Sequence, residues 1–150
     1  MNTTSTLDVS SKPRTLLGFD FGTTRIGIAV GQEITATATP LNPIKARDGI
    51  PNWDIIAAFV KEWQPDGFVI GLPLNMDGSE NDMCQRARKF ANRLHGRYNK
   101  PSYMMDERLS SYEAKGEVIK DGGNRNFKEN SVDGIAARMI LESWFLENQG

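Results

Sequence analysis

Asp20, Glu107 and Asp133 are the residues of this 150-residue chain whose types and settings could do chemistry together. Asp20 lies in a short apolar run (16–21) immediately before a Gly22-Thr23-Thr24 turn. Glu107 ends a second run, SYMMDE (102–107), and Asp133 falls in the first turn of an amphipathic segment that starts near Ser131. Carboxylates brought together in this way hold hard divalent cations such as Mg2+ or Mn2+, which take oxygen ligands and keep several waters. Two such ions about 4 Å apart activate a water and stabilise the leaving oxygen in phosphodiester hydrolysis. That chemistry needs neither histidine nor cysteine, and the chain has one of each, His95 and Cys84. A single cysteine excludes an internal disulfide and a cysteine-rich zinc site. Cys84 reads as a half-buried helix residue and His95 as a solvated one.

The three acids converge only if the elements carrying them end at one edge. Residues 16–21, 25–31 and 34–41 read as three strands on short connections, an antiparallel meander. A polar loop with Pro43, Asp48, Gly49 and Pro51 follows. Ile55, Ile56, Phe59, Val60 and Trp63 then recur at helical spacing as one buried face. Residues 68–72 (FVIGL) form a continuous apolar run, the pattern of a central strand buried on both faces. A helix over 81–98 carries Met83, Ala87, Phe90, Ala91, Leu94 and Tyr98 on one side, and Pro101 precedes the fifth strand. Ser110 and Glu113 match a capping box, and 121–130 reads as a polar loop. The last helix carries Val132, Ile135, Ala136, Met139, Ile140 and Ser143 on one face. Strands alternating with helices in the second half imply parallel pairing. The fold class is therefore α/β, with a five-stranded mixed sheet flanked by helices. Residues 1–12 read as a disordered tail and 13–150 as one domain.

Each acid also has an ordinary role open to it. An Asp in a first helical turn complements the helix dipole, and an Asp before a glycine turn is often a turn former. Glu107 between Asp106 and Arg108 fits a solvated, ion-paired edge. Asp20 differs in lying among Leu17, Phe19 and Phe21, where an unpaired charge is costly. Composition narrows the setting further. Net charge is −1, from 18 basic and 19 acidic residues, so any attraction for a polyanion must come from local clusters. No apolar run approaches the length of a membrane span, and the opening lacks a secretory signal. The chain reads as cytoplasmic, with no membrane partner.

Four motifs occur in order: FDFGTTRIGIAVG (19–31), GLPLNMDG (71–78), DERLSS (106–111) and SVDGIAA (131–137). Together they resemble the YqgF/RuvX family of bacterial RNase H-like proteins, related to Holliday junction resolvases and described as pre-16S rRNA nucleases. The resemblance runs from about Thr15 to Phe145. It implies an RNase H-like fold, catalytic and metal-binding roles for Asp20, Glu107 and Asp133, and Mg2+ or Mn2+, two ions, as cofactor. It implies hydrolysis of phosphodiester bonds in maturation of the 5′ end of 16S rRNA, with ribosomal particles as possible partners. The chain departs from the family in a less basic approach to Asp133, Lys128-Glu129-Asn130-Ser131, and in Gly134 after it.

Candidate substrate contacts are Arg25 and Arg108, each near a proposed catalytic acid, and Asn75 in the loop after the central strand. Arg86 and Arg93 belong to a ridge with Lys89 and Arg97, at spacings of three and four on one helix side. A basic ridge tracks a phosphate backbone, although a solvated helix face has the same pattern. The acids do not distinguish precursor rRNA from branched DNA. A junction resolvase needs two sites related by symmetry, and the expectation here is a monomer or weak homodimer. A third reading, an ATP-binding phosphotransferase, rests on the likeness of Asp20-Phe21-Gly22-Thr23-Thr24 to the phosphate loop of the actin, Hsp70 and sugar-kinase superfamily. Those proteins clasp nucleotide between two such domains, and this chain carries one copy of the loop.

Overall fold

The computed structural model describes residues 12–107 and 132–148, giving for Val132 and Asp133 the helix position alone. The elements are β1 (Thr15–Asp20), β2 (Arg25–Gln32), β3 (Thr37–Pro40), β4 (Ile44–Arg47), β5 (Ile50–Pro51), α1 (Trp53–Trp63), β6 (Gly67–Leu72), α2 (Asp82–Tyr98), β7 (Ser102–Asp106) and α3 (Val132–Glu147). The tail expected over 1–12, apart from Lys12, lies outside the described residues, as do the capping box at Ser110 and the loop 121–130.

Short connections make β1 and β2 antiparallel, whereas the helical crossovers through α1 and α2 make β1, β6 and β7 parallel. The sheet runs β5-β4-β2-β1-β6-β7, with β3 also beside β2. All five expected strands are present. The third is shorter than 34–41, because Ala36 takes φ 55 and donates back to the Glu33 carbonyl, closing a turn. Ile34 is left 75% exposed in that turn. Two further strands lie in the segment expected to be a loop. β2 pairs with β3 along its second half and with β4 at Arg25–Ile26, while β4 and β5 form a hairpin. Its two turn residues, Asp48 and Gly49, have φ of 51 and 79. Positive φ at both positions is what a two-residue hairpin turn requires, and Asp-Gly is a favoured pair for it. That signal was legible. The short strands around it were not.

The sheet buries both faces. On one, Leu17, Phe19, Phe68 and Ile70 meet Ile56 of α1 and Ala87, Phe90, Ala91 and Leu94 of α2. On the other, Leu16, Ala29, Val69 and Met105 meet Ala137, Ile140, Leu141, Trp144 and Phe145 of α3. Residues of β1 alternate between these cores, as strand geometry demands. β6 is buried throughout, as its unbroken apolar run predicts.

Three helix expectations need correction. Ile55 of α1 is 40% exposed, leaving Ile56 as its buried residue. Cys84 is fully buried rather than half-buried, because it sits three residues before Ala87 on the stripe that faces the sheet. In α3 the sheet-facing stripe is Ala137, Ile140, Leu141, Trp144 and Phe145, with Ile135 and Ala136 in a separate cluster beside Met139. Apolar residues lie nearly all round that helix, so periodicity alone selects the wrong stripe. Glycines in the sheet select the right one. A Cβ on Gly18 would stand 2.4 Å from Leu141 Cγ and 3.2 Å from the Ala137 carbonyl, and one on Gly31 would stand 2.8 Å from Phe145 Cε2. Only bare backbone lets α3 settle this deeply.

The far end of the sheet is tied by Arg14. Its guanidinium donates to both carboxylate oxygens of Glu33, at 3.3 and 3.1 Å, and to Tyr103 Oη at 3.2 Å. It also lies over the rings of Tyr103 and Trp144. The side-chain hydrogen bonds from Arg14 hold the Glu33 carboxyl below its ordinary range, against a smaller opposing effect of burial. A lowered carboxylate value contributes stability that is complete above the unfolded value, about 4.3 for Glu, and is lost as pH falls through the folded one. Glu33→Gln should therefore be less stable than wild type at neutral pH. Urea unfolding at a series of pH values should show the gap closing below about pH 4; a gap independent of pH would contradict the linkage.

Candidate active site

The site can be built from the residues that alternate outward at one sheet edge. Along β1, Leu16 and Gly18 face α3, so Asp20 is next on that face. On β6 the same face carries Val69 and then Gly71. On β7 it carries Tyr103 and Met105, and Glu107 follows. A Cβ on Gly71 would come within 3.0 Å of Glu107 Oε2 and 2.6 Å of Ile140 Cδ1. The Glu107 carboxylate thus lies over the bare backbone of the central strand, beside α3. Asp20 ends the strand on the other side of β6.

The run of α3 fixes where its first turn falls. Gly31, paired with Leu16, meets Phe145, whereas Gly18 meets Ala137 and Leu141. The helix is therefore antiparallel to β1. From Ala137 to Asp133 is about 6 Å of helix, and from Gly18 to Asp20 is about 7 Å of strand. The backbone of α3 at Asp133 comes level with the end of β1. The Asp133 side chain lies outside the described residues, as does Arg108. Among the described residues, no three His, Cys, Asp or Glu side chains gather closely enough to hold a metal. The donors assigned to this edge are hard carboxylate oxygens, and glycine at position 71 lets the Glu107 carboxylate sit against the central strand. That set fits Mg2+ or Mn2+ and suits neither zinc nor copper, which favour nitrogen or sulfur.

The expected substrate contacts divide. Arg25 begins β2 exposed, and with Gly22, Thr24, Lys45 and Ala46 it lines a hollow of about 540 Å3 beside the Asp20 turn. Lys45 was missed by the sequence reading, which treated its segment as loop. Asn75 does emerge after β6 at this edge, but its amide is engaged within the loop. It donates to Ser79 Oγ at 3.0 Å and accepts from Asn81 Nδ2 at 2.8 Å. Its established role in the structure is to shape the turn that closes at Gly78, φ 90. The α2 ridge is narrower than expected. Arg97 stacks over Trp53, 4.0 Å from the ring centroid, while Arg86, Lys89 and Arg93 line a second hollow with the β4–β5 turn. His95 is exposed and its Nδ1 meets the Lys100 carbonyl at 2.9 Å, bracing the approach to β7.

A mixed sheet of this order, flanked by helices on both faces with acids at the ends of the first and last described strands, defines an RNase H-like fold. Solved structures agree. RuvC of T. thermophilus in complex with a Holliday junction substrate aligns over 91% of this chain and 96% of its own, with a TM-score of 0.55 at 14% identity. The fowlpox virus resolvase bound to Holliday junction DNA aligns over 91% and 99%, with a TM-score of 0.56 at 13% identity. At such identities the likeness concerns the fold. The family described as RuvX: Holliday junction resolvase matches residues 14–147, and the chain belongs to it. A protein of Saccharophagus degradans is 58% identical over 135 residues, covering 90% of this chain and 95% of that one. One of Aeromonas hydrophila is 55% identical over 137 residues, covering 91% and 98%. Each carries the name "Putative pre-16S rRNA nuclease". The chain is accordingly an enzyme of the nuclease class, a hydrolase acting on ester bonds.

Proposed function

We propose that this chain is a divalent-metal nuclease that trims the precursor of 16S rRNA, using Asp20, Glu107 and Asp133 as its catalytic and metal-binding residues. The observation that supports the reading is the Glu107 carboxylate lying over the bare Gly71 backbone of β6, with Asp20 at the end of the neighbouring strand β1. Asp20, Glu107 and Asp133 would hold Mg2+ or Mn2+, two ions, and the metal would supply an activated water and stabilisation of the leaving oxygen. The protein's own part is to fix the acids on rigid elements. The end of β1 and the residue after β7 carry the two described carboxylates, the bare Gly71 backbone lets Glu107 approach the central strand, and α3 packs over it. Arg25 and Lys45 stand where a flanking phosphate would lie, offering charge that the chain as a whole lacks.

RNA is favoured over branched DNA by the names of relatives sharing more than half of their residues with this chain. A pre-rRNA substrate further suggests work on ribosomal particles in the cytoplasm, by a monomer or weak homodimer. The described helices include none long and apolar enough to cross a membrane. The deciding experiment sets wild-type protein on precursor 16S rRNA and on four-way DNA junctions, with Mg2+ and Mn2+ in parallel. Faster cleavage of the RNA, confined near its 5′ end, is the expected result. Symmetrical nicking of the junctions with intact RNA would replace this reading by the resolvase one.

A further inference from the structure

We propose that the hollow between α2 and the β4–β5 hairpin is a second phosphate subsite, carrying the single-stranded flank of an RNA substrate away from the Asp20–Glu107 face. The inference rests on the RNA-cleavage reading above and names where the rest of that substrate goes. The hollow, of about 270 Å3, is floored by Phe21 and Phe90 and rimmed by Arg86, Lys89 and Arg93. These cations sit at spacings of three and four, so they line one side of α2 over two turns. Phe21 directly follows Asp20 but belongs to the opposite core. The hollow therefore begins one residue from the proposed metal site, around the sheet edge.

The hairpin borders both regions, with Lys45 and Ala46 lining one hollow and Asp48, Gly49 and Ile50 the other. It is fastened to the Gly22-Thr24 turn by Gly49 N–H donating to the Thr23 carbonyl at 2.8 Å and Ala46 N–H to the Thr24 carbonyl at 2.9 Å. On one side of this clamp lies the hollow with Arg25 and Lys45, and on the other the hollow with Arg86, Lys89 and Arg93. Regularly spaced cations on both sides of a fixed ridge suit a flexible polyanion that bends over the edge. The remaining basic residues of α2 are otherwise engaged: Arg88 pairs with Glu80 and Arg97 covers Trp53.

Asp48 supplies the second argument. Its Oδ1 accepts from Arg86 Nη1 at 3.1 Å, and its carbonyl oxygen lies 3.5 Å from the same nitrogen. An anionic oxygen already occupies the place on Arg86 that a phosphate oxygen would take. The pair is exposed, at 45% and 78% of the side chains, so it holds little stability and yields to a competing anion. Asp48 is thus an internal competitor for the subsite.

The test uses the full chain, an RNA duplex with and without a single-stranded tail, and binding followed by fluorescence anisotropy across a salt series. The Arg86→Gln/Lys89→Gln/Arg93→Gln variant should lower the salt slope on tailed RNA by about two, given roughly 0.7 per single-strand phosphate contact. Its slope on tailless duplex should match wild type. Asp48→Asn should bind tailed RNA more tightly, since Asn tolerates the left-handed backbone equally well. Arg88→Gln, on the same helix but outside the hollow, should behave as wild type. A triple variant with the wild-type slope on tailed RNA, or an equal loss on both duplexes, overturns the subsite. Cleavage assayed on the tailless duplex keeps the two ideas apart. Wild type that cuts RNA while the triple variant keeps its slope defeats the subsite alone. Wild type that shows the slope difference but cuts no RNA defeats the cleavage reading alone, and wild type that binds no RNA defeats both.

Discussion

Asp20→Asn should lose about 10^3-fold or more of metal-dependent RNA cleavage, equivalent to roughly 4 kcal/mol of transition-state stabilisation. The fold should be kept. Asp20 is paired to Gly27 of β2 through backbone, which the substitution leaves intact, and Asn occupies the same volume. The substitution removes one of the charges proposed to bind the metal. Thermal melts should therefore separate two effects. Without metal the variant should still melt cooperatively, whereas Mg2+ should raise the melting temperature of wild type and leave the variant unmoved, as linkage requires when only one of them binds the ion. Undiminished cleavage by the purified variant would remove Asp20 from the mechanism. Lost cleavage accompanied by an undiminished Mg2+ effect on melting would leave it catalytic without being a ligand.

The residues behind that prediction were legible before the structure for unequal reasons. Asp20 stood out because a charge amid Leu17, Phe19 and Phe21 demands an explanation, and the alternation of β1 then places it toward α3. Glu107 was readable only through the order of elements, since its neighbours Asp106 and Arg108 make any edge position look solvated. Gly71 carried no sign of its contact with Glu107. In the sequence it lies within a continuous apolar run, and nothing there says that the Glu107 carboxylate lies over it. The same holds for Gly18 and Gly31, whose role depends on α3 arriving from more than a hundred residues away. Local patterns carry strand alternation and helix stripes well, as β1, β6 and α2 illustrate. They fail where apolar residues surround a helix, as in α3, or where strands shrink to four residues or two, as in β4 and β5. In both cases the deciding contact is made by a distant part of the chain.

Gly71→Ala follows from the part of the site that the sequence hid, and it should impair chemistry more than stability. Backbone strain is no factor, because Gly71 lies within a regular strand, paired with Met105. The added methyl meets two groups. Ile140 Cδ1, 2.6 Å away, is the free end of a flexible side chain and can rotate aside. Overpacking of this kind costs about 1–3 kcal/mol, and rotation of Ile140 holds the cost near the lower figure. Glu107 Oε2, at 3.0 Å, has a different constraint. Its carboxylate must move by a few tenths of an ångström away from the central strand, out of the position it takes over Gly71. A misplacement of a reacting group by about 1 Å can cost about 10^2-fold, so a shift of a few tenths should cost roughly 10-fold. The expected outcome is a fall in kcat of that order, with KM little changed and a melting temperature a few degrees lower. The companion Gly18→Ala separates geometry from stability, since its Cβ would lie 2.4 Å from Leu141 Cγ and 3.2 Å from the Ala137 carbonyl but would approach no proposed metal ligand directly. It should lose more stability than Gly71→Ala for a given loss of kcat. If both variants lost activity only in proportion to the fraction unfolded, the space over Gly71 would be a packing feature of the sheet, and Glu107 would need no fixed position to act.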